Sequence, residues 1–146
     1  MSVSAFHEGE EFTRALSLTP ELVRQFATLG GDTNPLHHDE AYAKASRFGG
    51  LIASGGQCTA MMMGPIADFL TARKDAVGLE FGFKFHKAVP ATGEYGLHWR
   101  IVSITYKSSL KGHLVQFEGR LMRGDTTHVS ATCTALEMES SSPPKT

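Results

Sequence analysis

A chain of 146 residues fits one ordinary domain, long enough to bury a substantial core without covalent staples. Hydrophobic residues make up 41% and charged residues 20%, close to globular averages, which excludes wholesale disorder. The formal net charge of −1 lacks the basic excess of a nucleic-acid binder.

The opening MSVSAFHEGEEF has neither a basic start nor a long apolar stretch, so no secretory leader is expected and a cytoplasmic setting is. Residues 11–19 alternate loosely and predict a first strand. Thr19-Pro20-Glu21 then marks a helix start, with Thr as cap, Pro at the first helical position and an acid in the first turn. Leu22, Phe26 and Leu29 follow at helical spacing as its expected apolar face, and Gly30-Gly31 stops it. After the loop GDTNPLHHDE, Asp39 is placed to cap a short helix through Ala45.

The most apolar stretch, residues 51–70, is LIASGGQCTAMMMGPIADFL. Gln57, Asp68, Pro65 and three glycines interrupt it too often for a membrane span, and it predicts a helix buried in a core. Ser54 and Gln57 have the spacing of a capping box at its start. Apolar on nearly every face, this helix should be surrounded by protein, and Pro65 should kink or divide it. Cys58 here and Cys133 later both lie in apolar runs and read as reduced core residues.

Past residue 77 the period becomes two. Leu79, Phe81, Phe83 and Phe85 alternate with polar or small residues, the pattern of a half-buried strand. Tyr95, Leu97, Trp99 and Ile101 make a second run, whose phase shifts at Val102 and so predicts a bulge. Val115, Phe117 and Leu121, with Gly119 on the same face, make a third, and Val129, Ala131, Cys133 and Ala135 a fourth. Turns fall at 90–93, 108–112 and 124–125. Helices grouped ahead of a run of four antiparallel strands predict an α+β fold, with a curled sheet wrapped around the apolar helix. One domain over 1–139 and a flexible tail over 140–146 are expected.

The loop holds the residues capable of proton chemistry. Asp32 and Asn34 have an ordinary explanation as turn residues, and a loop histidine is often only solvated. Yet Asp32 and His37 lie five residues apart across a turn stiffened by Pro35, so both side chains can face one spot. A carboxylate and an imidazole facing one water form a competent acid–base pair. Gly55-Gly56 opens the buried helix a short distance on, and free N–H groups at a helix start suit a developing oxyanion.

The stretch GDTNPLHHDEAYAKASRFGGLIASGG resembles the hydratase motif of the MaoC-like, (R)-specific enoyl-CoA hydratase family, without gaps from Asp32 to Gly55. FGFKFHKAVPATGEY is more weakly similar to a second segment of that family, and the likeness extends over roughly residues 10–137. The resemblance implies the hot-dog fold, usually dimerised edge to edge. It implies that Asp32 and His37 activate a water, that Gly55 or Gly56 N–H polarises a thioester carbonyl, and that Asn34 supports the dyad. Water would add across the 2,3 double bond of an enoyl-CoA. The motif spacing selects His37 over its neighbour His38.

The chain departs from the family pattern at several positions. Ser54 replaces a histidine at the mouth of the site, and Met63 replaces a hydroxyl residue on the central helix, with Thr59 a turn earlier as a substitute. Lys87-Ala88 stands where a basic residue and proline are common. Ser54, Thr59, Met63 and Lys87 are the candidate substrate-binding residues, and Lys84, Arg100, Lys107 and Lys111 are further cations for the CoA phosphates, with solvated charge as their ordinary explanation. His86 and His98 are expected at the surface. No metal and no cofactor separate from the CoA substrate is implied, no nucleic-acid or membrane partner is expected, and a homodimer is. The same carboxylate also suits a hot-dog thioesterase, and loss of the histidine at 54 suits a non-catalytic acyl-CoA-binding module.

Overall fold

The computed structural model describes residues 3–139; the expected tail at 140–146 lies outside them. β1 (Glu11–Leu18) is followed by α1 (Pro20–Leu29), a 3-10 turn (Pro35–His37), α2 (Glu40–Ala45) and the long α3 (Gly55–Thr71). Then come β2 (Ala76–Phe85), β3 (Gly93–Lys107), β4 (Gly112–Arg123) and β5 (Thr126–Met138). The five strands form one antiparallel sheet in the order β1-β3-β4-β5-β2. Wrapped around α3, it makes a hot-dog fold. Among the described residues no helix is long and apolar enough to cross a membrane.

The wrapping is visible in which strands touch the helix. Phe12 of β1 stacks on Phe69 at 4.6 Å, and the indole N–H of Trp99 in β3 donates to the Met62 carbonyl at 3.0 Å. On the other flank Phe81 of β2 shares a small apolar pocket with Met63 and Ala67. β2 does not join the run of consecutive strands that the alternation suggests. It crosses the sheet to pair with β5 (Phe85 opposite Val129), and so covers a flank of α3 that β1 and β3 leave open. Trp99 binds α3 at the Met62 carbonyl, in the turn before Pro65. The helix runs through Pro65 undivided.

Three expectations about faces are corrected. α1 buries Val23 and Ala27, while Leu22 and Leu29 are exposed; Phe26 is half-buried and covers Gly56. The inward stripe is thus one residue out of phase with the larger side chains. α3 is not surrounded on every side. It buries the row Cys58, Met62, Ile66 and Leu70, and leaves Ala60, Met63, Gly64 and Ala67 exposed, mostly residues too small to make that exposure costly. β2 is an edge strand, so Leu79 and Phe85 are half-exposed rather than half-buried in phase with Phe81 and Phe83. The bulge in β3 is where the phase shift puts it, between Ile101 and Ser103.

Cys58 and Cys133 are free thiols, 1% and 2% exposed. Burial pushes them up from 9.0 to about 11 and about 12. A thiol that holds its proton more tightly folded than unfolded contributes stability below the unfolded pKa and loses it as pH rises toward the folded one. Stability should therefore fall from pH 9 upward by roughly 1 kcal/mol per thiol per pH unit. Urea unfolding at pH 8 and pH 10 measures it, and Cys133→Ala should remove about half the drop.

Candidate active site

Backbone chemistry shapes the loop before any catalysis is considered. Gly31 adopts φ 75, a left-handed conformation that favours glycine, and turns the chain out of α1 so that the Asp32 N–H donates to Ala27 O at 2.8 Å. Asp32 Oδ1 accepts the Asn34 N–H at 3.0 Å, and Asn34 Oδ1 accepts the Leu36 N–H at 3.0 Å, capping the 3-10 turn that Pro35 opens. Asn34 thus holds the loop through both its backbone and its side chain. This succession leaves His37 buried and Asp32 at the surface, with side-chain exposures of 7% and 42%.

The two functional groups meet. His37 Nε2 lies 3.4 Å from Asp32 Oδ2. His37 Nδ1 lies 2.7 Å from the Ile52 carbonyl, which only accepts, so Nδ1 carries the hydrogen. In the neutral ring Nε2 is then the bare nitrogen, and it faces the carboxylate. The separation is long for a direct hydrogen bond and short enough for both atoms to reach one water. His38 has a different task. Its Nε2–H donates to the Asp32 backbone carbonyl at 2.6 Å, which pins the loop.

A second segment carries the site to the helix. Residues 51–53 are stitched to 89–91 by Ala53 N–H to Val89 O at 2.8 Å and Ala91 N–H to Leu51 O at 2.9 Å. That strip presents the Ile52 carbonyl to His37 and feeds directly into α3. Ser54 caps the helix, its Oγ accepting the Gln57 N–H at 3.1 Å. The Gln57 side chain does not complete the capping box; its Oε1 is buried with no partner among the described residues. The N–H groups of Gly55 and Gly56 make no hydrogen bond within the described chain, so two donors at the positive end of a 17-residue helix stand open.

Asp32, Asn34 and His37 therefore converge, and the Ile52 bond ties them to the start of α3, where Ser54, Gly55 and Gly56 lie. Thr59 is one turn on, its hydroxyl donating to Gly56 O at 2.9 Å. Met63 is about 12 Å along the axis from Gly55 at 1.5 Å per residue, and lines an apolar pocket of about 330 Å³ with Val77 and Phe81. Lys87 is exposed, and its backbone N–H donates to His128 O. Sequence reasoning missed Phe85 as a neighbour of the site. Its ring lies 3.3 Å from where a Gly55 Cβ would stand, forming a wall beside the open donors. The alternation in β2 put Phe85 on the inner face, but only the strand order shows what it meets there.

Residues 3–95 match the family described as a MaoC like domain. Among solved structures, the unliganded R-hydratase PhaJ1 from Pseudomonas aeruginosa is 20% identical, covers 92% of this chain and 84% of its own, and has a TM-score of 0.80. The (R)-hydratase from A. caviae involved in PHA biosynthesis is 19% identical, covers 94% and 100%, and has a TM-score of 0.82. The C-terminally truncated HadBC (3R-hydroxyacyl-ACP dehydratase) complex from Mycobacterium tuberculosis is 20% identical, covers 88% and 96%, and has a TM-score of 0.75. At these identities the likeness concerns the fold. No curated protein matches the chain.

Proposed function

Since the chain belongs to the MaoC-like domain family, we propose that it is a cytoplasmic hydro-lyase for trans-2-enoyl-CoA, acting by (R)-specific hydration or the reverse dehydration. The observation that carries this reading is the Asp32–His37 pair at 3.4 Å, tied by the Ile52 carbonyl to the segment that leads into α3, whose first two N–H groups are open. His37 Nε2 takes one proton from water while Asp32 Oδ2 accepts the other hydrogen and aims the oxygen at C3. The C3–O bond forms, and the π electrons move toward the thioester carbonyl, whose oxygen Gly55 and Gly56 N–H stabilise. The proton returns from His37 to C2, giving the 3-hydroxyacyl thioester with atoms balanced. Asn34 keeps the carboxylate oriented, and Phe85 walls the carbonyl from solvent.

Crotonyl-CoA tests this directly. Loss of the conjugated enoyl absorbance without release of free thiol is the expected result. Thiol release without hydration would make the protein a thioesterase, and binding without either reaction a non-catalytic module.

The proposed assembly is a homodimer through β2. This edge strand leaves one row of backbone groups open, with Val77 47%, Leu79 51% and Phe85 54% exposed, next to Met63 at 38%. Such an edge invites pairing with a second sheet. Light scattering at micromolar concentration should report twice the 15.8 kDa protomer, and Leu79→Glu should return the protomer mass.

A further inference from the structure

The face of the sheet turned away from α3 carries its own arrangement of charge. Lys84, Ser130, Arg120 and His98 are register partners across β2, β5, β4 and β3 and form one row on it. Gly82, Thr132, Glu118 and Arg100 form the next. Together they line an open groove of about 760 Å³. Its floor is small and hydroxylated. Gly82 leaves the hollow open, since a Cβ there would stand 3.0 Å from Thr132 Oγ1, and the Ser130 hydroxyl is held by His86 Nε2 at 2.7 Å.

The walls are cationic. Lys84, Arg100 and Arg120 face one lining carboxylate, Glu118, with Glu11 opposite Arg100 at the end of the row, on a chain whose net charge is −1. Arg100 meets that carboxylate only at 3.9 Å, while Lys84 and Arg120 have no hydrogen bond or ion pair among the described residues. His98 is held by Glu11 at 3.0 Å.

We propose that this groove binds the diphosphate of a free nucleotide. Two strand spacings, about 9.6 Å, separate the backbones of Lys84 and Arg120. A single phosphate does not bridge them well, whereas a diphosphate offers charge to both while Arg100 and the floor hydroxyls bond its remaining oxygens. The volume is that of a small-ligand site. The groove lies on the opposite side of the sheet from α3 and the dyad, so its occupant is distinct from a thioester held at the dyad of the same protomer. The proposal stands whether or not the chain is a hydratase.

Calorimetric titration with ADP at low ionic strength tests it. ADP should bind with sub-millimolar affinity, AMP about tenfold more weakly, and added salt should weaken both. Lys84→Ala and Arg120→Ala, both at exposed side chains, should each lower ADP affinity about tenfold, and Asp32→Asn should leave it unchanged. Absence of ADP binding at millimolar concentration, equal affinity for AMP, or unchanged affinity in the Lys84→Ala/Arg120→Ala double variant would each overturn it. So would coenzyme A competing with ADP and losing affinity in parallel in Arg120→Ala, which would give the groove to the thioester handle.

Discussion

His37→Ala should lower kcat for enoyl-CoA hydration by ~10²–10⁴-fold, the usual contribution of a positioned general base. The side chain is 7% exposed and satisfies the Ile52 carbonyl, so this variant also loses a buried hydrogen bond and some stability. Asp32→Asn separates the two effects. Its Oδ1 still accepts the Asn34 N–H, so the turn survives, and the side chain is 42% exposed, so little packing is lost. Its other atom becomes an amide that donates to His37 Nε2 and occupies the lone pair needed for water. Asp32→Asn should therefore keep the wild-type melting temperature and the affinity for a 3-hydroxyacyl-CoA product while kcat falls by a factor on the same order. His38→Ala should loosen the loop yet spare most of the rate, since His38 bonds only the Asp32 backbone. An Asp32→Asn enzyme with wild-type kcat would refute the dyad.

What the sequence discloses and what it withholds divide by physical range. Caps, breakers and strand periods are local: Thr19, Asp39 and Ser54 cap helices as their spacing indicates, and the β3 bulge sits at the phase shift. The Asp32–His37 meeting is also local, because one stiff turn delivers both residues. Side-chain exposure is not local. Leu79 and Phe85 obey a strand's alternation, but β2 lies at the sheet's edge, and no pattern within the strand says so. The Gly55–Phe85 contact and the Ile52 carbonyl on His37 depend on how distant segments pair. Glu137 shows the same limit. It is 2% exposed near the end of β5 and accepts Ser4 Oγ–H at 2.6 Å and the Ala5 N–H at 2.7 Å. It thereby anchors the N-terminal segment that lays Phe6 on Phe69. A buried carboxyl group of this kind is tolerated because its partners satisfy it, and those partners lie 133 and 132 residues away in sequence.

Gly119→Ala should be among the most damaging single-methyl additions in this protein. Gly119 stands opposite Trp99 in the β3–β4 register, and a Cβ there would fall inside the van der Waals shell of the indole ring. Its φ is not positive, so the backbone accepts alanine and the cost is steric alone. The ring has little room to retreat. Trp99 is 0% exposed, packs edge-on against Phe117 at 6.2 Å, and is fixed at its nitrogen by Met62 O. Moving it breaks the bond to α3 in the turn before Pro65, so an overpacked residue on the sheet becomes a loosened central helix. Overpacking a tight core costs roughly 1–3 kcal/mol, and the lost indole bond adds about 1 kcal/mol. Urea unfolding followed by the fluorescence of this single tryptophan measures the sum. Trp99→Phe alone should cost less, and the double variant Gly119→Ala/Trp99→Phe should be more stable than the two separate losses add up to, because the smaller ring makes room for the methyl. Strict additivity in that cycle would show that Gly119 is not the residue that accommodates the indole.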